Sequence, residues 1–184
     1  MHAAFHAGNR ARLYQALPED ALLVLFSGTE KRKTNDEYYP FFTDRNFYYL
    51  TGLDSKEFVL LACKDETGHV SERIYILPPD PMAERWTGRR IKPAQAQLLS
   101  GIDDVRFVGA FDRDFHALAQ SGKFETLFLD LFRAEHIDLE ITPAQRFAQK
   151  AREQYVYLTV KNAQPRTNFV LDGHWYADYV SDFK

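Results

Sequence analysis

The chain has 184 residues, 45% of them hydrophobic, with 15 Phe, 10 Tyr and 2 Trp, enough apolar material for one domain with its own core and too much for a disordered chain. A formal net charge of −3 and a pI of about 6.1 leave no basic field for nucleic acid, and the single cysteine, Cys63, excludes an internal disulfide framework and fits a reducing compartment. No signal-peptide pattern and no apolar run near the roughly 18 residues of a membrane span is visible, so no membrane partner is expected and the cytoplasm is the expected location.

Residues 3–17 read as a helix. Phe5, Ala11 or Arg12, Leu13, Ala16 and Leu17 give a partial 3.6-residue stripe, and Pro18 ends it. Ala21 to Phe26 is an apolar run of strand length, as in a strand buried on both faces. Ser27-Gly28 closes it. A polar loop follows, in which Lys31, Arg32 and Lys33 are largely cancelled by Glu30, Asp36 and Glu37. Tyr38 to Phe42 then suggests a packed loop or a partner surface.

Thr43 to Leu53 joins a turn-prone start to a dense aromatic run. Phe47 to Thr51 are all strand-favouring types, and Gly52 allows a sharp exit. A short strand covered on both faces is predicted there. Phe58 to Cys63 is a second buried strand that a turn at Lys64 to Gly68 connects to a paired strand, Arg73 to Leu77. Cys63 is expected to be a buried, inert thiol. Prolines 78, 79 and 81 stop the strand, and the segment around Trp86 is predicted to be a loop.

The second half alternates: a helix over Pro93 to Leu99, a strand over Val105 to Val108, a helix over Phe111 to Gln120, a strand over Glu125 to Leu131, a helix from Pro143 to Gln154, and a short extended piece over Tyr155 to Leu158. Such alternation argues for α/β layers around a mixed sheet of about six strands. Near the end, Trp175, Tyr179 and Phe183 are spaced four apart, an amphipathic helical stripe.

Catalytic patterns are sparse. The 26 Asp and Glu residues are scattered over turns and helices, with no His/carboxylate cluster of ligand-like spacing. No Gly-x-Ser-x-Gly, phosphate loop, Cys-x-x-Cys or dinucleotide glycine motif appears. His2 and His6 have the i, i+4 spacing of a zinc pair, but the Glu such pairs carry is replaced by Ala3.

Asp44-Arg45-Asn46-Phe47-Tyr48-Tyr49-Leu50-Thr51-Gly52-Leu53 resembles the signature of the N-terminal domain of Xaa-Pro aminopeptidases, shared with prolidase and creatinase. Glu84-Arg85-Trp86-Thr87-Gly88-Arg89-Arg90 is a second, supporting match, and the order of strands around both motifs fits over residues 5–165. The resemblance implies a three-layer, ribonuclease-H-like α/β fold over residues 1–165, with 166–184 as a divergent tail. It implies that the peptidase activity, hydrolysis of the bond between an N-terminal residue and a following proline, belongs to a pita-bread domain absent from these residues. That domain would hold two divalent metals, usually manganese, to activate water and polarise the carbonyl. This chain would then carry no cofactor and be inactive alone. It would form a dimer or larger homo-oligomer and help close an active site for proline-containing peptides. The resemblance makes Trp86, Arg89 and Arg90 candidates for lining that site, of a neighbouring subunit if not the same one. An indole offers a broad apolar wall, and arginines hold carboxylates. Arg45 and Tyr48 are further candidates.

Blander readings stand beside these. Trp86 is then a packed loop residue, Arg89 and Arg90 are solvated, and Asn46, Tyr48 and Tyr49 serve turn and core. The alternative function is a stand-alone protein-binding module that docks through Tyr38 to Phe42 and the terminal stripe. A nuclease is a third reading, since the fold can host two-metal phosphodiester hydrolysis, but Ala21 to Phe26 has no central acid and Asp130 stands alone on its strand.

Overall fold

The computed structural model describes residues 3–131 and 141–163, and the backbone of two further strands, 166–169 and 175–180. Six strands form one mixed sheet in the order β4-β3-β2-β1-β5-β6, where β1 is Ala21–Phe26, β2 Val59–Lys64, β3 Val70–Ile76, β4 Val105–Phe107, β5 Thr126–Leu129 and β6 Thr159–Asn162. β1 pairs antiparallel with β2 and parallel with β5, so it is central. Burial on both faces explains its unbroken apolar sequence.

Alternate residues feed two cores. Leu22, Val24, Leu127 and Leu129 face helices α5 (Phe111–Ala119) and α6 (Pro143–Gln154). Ala21, Leu23, Leu25 and Phe128 face α1 (Ala3–Ala16), α2 (Arg45–Thr51) and α4 (Pro93–Ser100). This is the predicted three-layer α/β arrangement. On the α5 face, Asp114 receives hydrogen bonds from Arg106, Arg113 and the hydroxyl of Tyr75. Burial, then the charge of Asp114, push the Tyr75 phenol up to about 12.

Four predicted elements differ from the structure. The aromatic stretch 45–51 is a helix, α2, not a strand covered on both faces. Asp44 caps its start, its side chain accepting from the N–H of Phe47 at 2.9 Å. Gly52 ends it at φ +69°, its N–H donating to the Tyr48 carbonyl. Phe47, Leu50 and Thr51 are buried, at spacings of three and four, while Tyr48 and Tyr49 stay exposed. The caps override the strand propensity of the side chains. Trp86 lies on a helix too, α3 (Pro81–Thr87), because Asp80 accepts from the N–H groups of Met82 and Ala83 and Pro81 occupies its first turn. The last strand of the sheet is Thr159–Asn162 rather than 155–158, because Tyr155 ends α6 and its carbonyl closes a turn with Leu158. Residues 175–180 form a strand, β8, antiparallel to β7 (Arg166–Phe169), and not a helix; a backbone ladder and β-favouring types outweigh the four-residue spacing. Phe183 lies outside the described residues.

The helix predicted at the start is present, but with another face inward. His6, Asn9, Arg10 and Tyr14 are buried, while Phe5 is exposed. Arg10, 1% exposed, binds Glu72 of β3 through Nε (2.7 Å) and Nη2 (3.1 Å), and its Nη1 donates to the carbonyls of Leu50 (2.7 Å) and Ser100 (2.9 Å). Tyr14 donates to the same Glu72 carboxylate at 2.6 Å. Burial, then the charge of Glu72, hold the Tyr14 phenol well above its usual range.

Two stability measurements follow from this geometry. Arg10→Met strands Glu72 and two carbonyls and should cost about 3 kcal/mol in urea unfolding; an unchanged midpoint would show that the clasp contributes nothing. Asp44 is held above the usual carboxylate range by burial first and by the charge of Asp130, against the hydrogen bond from Phe47. Its protonation therefore stabilises the fold fully below the ordinary value of 3.8, and that contribution is lost as pH rises through the raised folded value. Asp44→Ala should cost about 1 kcal/mol at neutral pH, whereas Asp44→Asn, which caps without a charge, should hold stability there. The Asn variant's stability relative to the parent should improve as pH rises from about 3 to neutrality; a flat difference contradicts the assignment.

Candidate functional site: an aromatic groove between the first two helices

α1 and α2 meet at a groove of about 410 Å³. Its walls are Phe5, Phe42, Tyr48 and Tyr49, and His6, Arg45 and Asp54 supply its polar groups. The α2 caps create it: once Asp44 and Gly52 fix the helix, Phe47 and Leu50 turn inward and the two tyrosines turn out. Arg45 and Tyr48 thus come together in one surface.

His6, 2% exposed, forms the groove floor. Its Nδ1 lies 2.9 Å from the Tyr49 carbonyl, which can only accept, so Nδ1 carries the hydrogen. Asn9 donates to the same carbonyl at 3.1 Å. The His6 ring meets Phe5 edge-on (centroids 5.3 Å apart) and Tyr48 (6.1 Å), and Phe5 meets Tyr49 edge-on (5.5 Å). Gly52 is required twice: its φ is positive, and a Cβ there would lie 2.5 Å from His6 Nε2. His2, the other member of the spaced pair, lies outside the described residues.

Trp86, Arg89 and Arg90 do not line this groove. Trp86 is 88% exposed on α3, a helix with no buried residue, and Met82 on the same helix is exposed as well. The reading of Trp86 as a packed loop residue therefore fails on both counts. Arg89 is exposed. Arg90 is held by its own chain, donating to the Pro78 carbonyl at 2.5 Å and lying 3.6 Å from Asp80. Tyr38, Tyr39 and Phe42 are exposed, Phe42 to 85%, so the 38–42 segment is open surface rather than a packed loop.

Sequence reasoning missed His6 and Phe5 as groove residues. The 3.6-residue stripe of apolar residues lies on another face of α1, which buries polar side chains instead. Asn46 donates to Asp130 at 3.0 Å, beyond the end of β5 and next to Asp44. Among the described residues no three His, Cys, Asp or Glu side chains gather where a metal could be held, and no helix is long and apolar enough to cross a membrane. Exposed aromatics edged by one arginine and one aspartate offer an apolar recess with a polar rim, a geometry suited to binding.

Comparison with known proteins points one way. The chain is 34% identical over 102 residues to an Xaa-Pro aminopeptidase of Haemophilus influenzae, a match covering 55% of this chain and 24% of that protein. It is 30% identical over 99 residues to the Xaa-Pro aminopeptidase of Escherichia coli, covering 54% and 22%. The chain thus spans about a quarter of the length of the curated relatives it matches. A Bacillus anthracis structure assigned to aminopeptidase P superposes with a TM-score of 0.83 at 32% identity, over 88% of this chain and 38% of that one. Escherichia coli aminopeptidase P with the inhibitor Pro-Leu shares the fold, with a TM-score of 0.72 at 19% identity over 90% of this chain and 37% of that one. The family model of the aminopeptidase P N-terminal domain matches residues 6–128, and the chain belongs to that family.

Proposed function

We propose that the chain serves as the non-catalytic N-terminal domain of a metal-dependent Xaa-Pro aminopeptidase, and that its exposed aromatic surfaces contact the catalytic part of the assembly. The observation that carries this reading is Trp86: an indole 88% exposed, on a short helix that buries nothing of its own. An aromatic kept in water by a well-capped helix is placed for an outside partner. Arg89 beside it is exposed and has no ion-pair partner among the described residues, so it can meet a carboxylate, while Arg90 anchors the segment to Pro78 and Asp80. The groove with Arg45 and Tyr48 is a second contact region. In this reading the domain sets oligomer contacts and closes an active site over proline-containing peptides. The two divalent metals, manganese in the reading favoured here, and their carboxylate and imidazole ligands belong to the catalytic domain.

A stand-alone binding module is the second reading, favoured by the exposed run Tyr38, Tyr39 and Phe42. The two readings separate in one assay series. In a protein joining this domain to the catalytic one, Trp86→Ala should lower kcat/KM for Xaa-Pro peptides about tenfold or more, a loss of roughly 1.4 kcal/mol of transition-state stabilisation. Unchanged kcat/KM removes Trp86 from the substrate site. The isolated chain with Mn²⁺ should leave an Xaa-Pro peptide intact; metal-dependent turnover by the pure chain overturns the non-catalytic assignment.

A further inference from the structure

A second cavity, of about 510 Å³, opens on the opposite face of the sheet, outside the end of β1. Its size is in the range of small-molecule sites. Phe26, Phe111 and Phe147 line its apolar side, with ring centroids 5.4 to 6.1 Å apart. It lies beyond the carboxyl end of β1 and beside the start of its antiparallel neighbour β2, where Phe26 pairs with Val59.

The rim is charged with both signs. Arg146 and Lys150 come from α6, Asp112 from the first turn of α5, and Glu57 from the turn before β2. Arg146 uses one N–H on the Ile141 carbonyl (2.8 Å), and among the described residues the rest of its fork has no hydrogen-bond partner. Lys150 and Asp112 are 3.3 Å apart and both solvent-exposed, a weak pair that a ligand can displace. Glu57 has no side-chain partner among the described residues.

Glu57 also holds a backbone conformation unusual for its type, with φ +61°. Its N–H donates to the carbonyl of Gly28, itself at φ +103°, at 2.8 Å. Next to this bond, the Phe58 N–H donates to the buried Ser27 hydroxyl at 2.8 Å. The cavity mouth is therefore rigidly braced, and a residue that glycine or asparagine would replace with less strain stands at it as glutamate. Strain of this kind concentrates at ligand sites.

We propose that this cavity binds a small zwitterion with an apolar side chain, an apolar amino acid or dipeptide. The aromatic floor takes the side chain, Arg146 and Lys150 take the carboxylate, and Glu57 and Asp112 take the ammonium group. Among the described residues, two cations and two carboxylates on the rim sum to zero, which matches a zwitterion better than a simple anion or cation. This site is independent of the groove and of Trp86, so it stands or falls apart from the peptidase reading.

The test is a ¹H–¹⁵N NMR titration of the 184-residue chain with L-phenylalanine and three derivatives: N-acetyl-L-phenylalanine, L-phenylalaninamide and the neutral N-acetyl-L-phenylalaninamide. L-phenylalanine should saturate shifts at the Gly28, Val59, Val108 and Phe147 amides with Kd on the order of 1 mM or tighter. Each singly blocked compound should bind at least about fivefold more weakly, and the neutral one weaker still. Glu57→Gly, which relieves the backbone, should keep the fold, weaken L-phenylalanine about fivefold and leave N-acetyl-L-phenylalanine unchanged. Lys150→Ala should weaken L-phenylalanine and leave L-phenylalaninamide unchanged. Absence of shifts at those amides up to about ten times that concentration overturns the proposal, as does equal binding of the neutral compound or insensitivity to both variants.

Discussion

One buried cation organises the helical layer over half of the sheet. Arg10 is fully enclosed and reaches four acceptor sites: both oxygens of Glu72, the Leu50 carbonyl in the last turn of α2, and the Ser100 carbonyl at the end of α4. The last carbonyls of a helix lack partners and carry its negative dipole end. A guanidinium has enough donors, in a fixed fork, to satisfy two such ends and a carboxylate together. Desolvating that charge is expensive, and only complete pairing offsets it. So α1, α2, α4 and β3 are held in one mutual arrangement, and displacing any one leaves a buried charge or carbonyl exposed.

This explains why α1 buries polar residues. His6 and Asn9 serve the Tyr49 carbonyl as Arg10 serves Leu50 and Ser100, and Tyr14 completes Glu72. Three side chains of one helix satisfy the C-terminal carbonyls of two others. The aromatic groove follows from that docking, because α2 must present its C-terminal turn to α1, and its exposed tyrosines then stand beside Phe5 and His6.

The layered fold was legible where burial alone dictated the pattern. Ala21 to Phe26 and Phe58 to Cys63 read as strands because nothing polar interrupts them, and α6 was bounded by Pro143 and Gln154 because proline starts a helix cleanly. The aromatic stretch has the side-chain propensity of a strand, but its ends decide: Asp44 and Gly52 are a cap pair around seven residues. The buried face of α1 was illegible to a search for apolar periodicity, since its partners are backbone carbonyls that leave no trace in composition. The motifs located Arg45, Tyr48 and Trp86 on the surface, yet could not show that the first two share a recess which Trp86 does not line.

The sheet ends in two very short strands, β4 with three residues and β6 with four. A border that short offers a stray extended chain few free N–H and C=O groups to grip, and so resists fibril-like stacking. Contact between two copies at this six-stranded sheet would accordingly favour exposed rings such as Trp86 and Phe42 over its borders, and would be sensitive to mild detergents in a way that strand-to-strand growth is not.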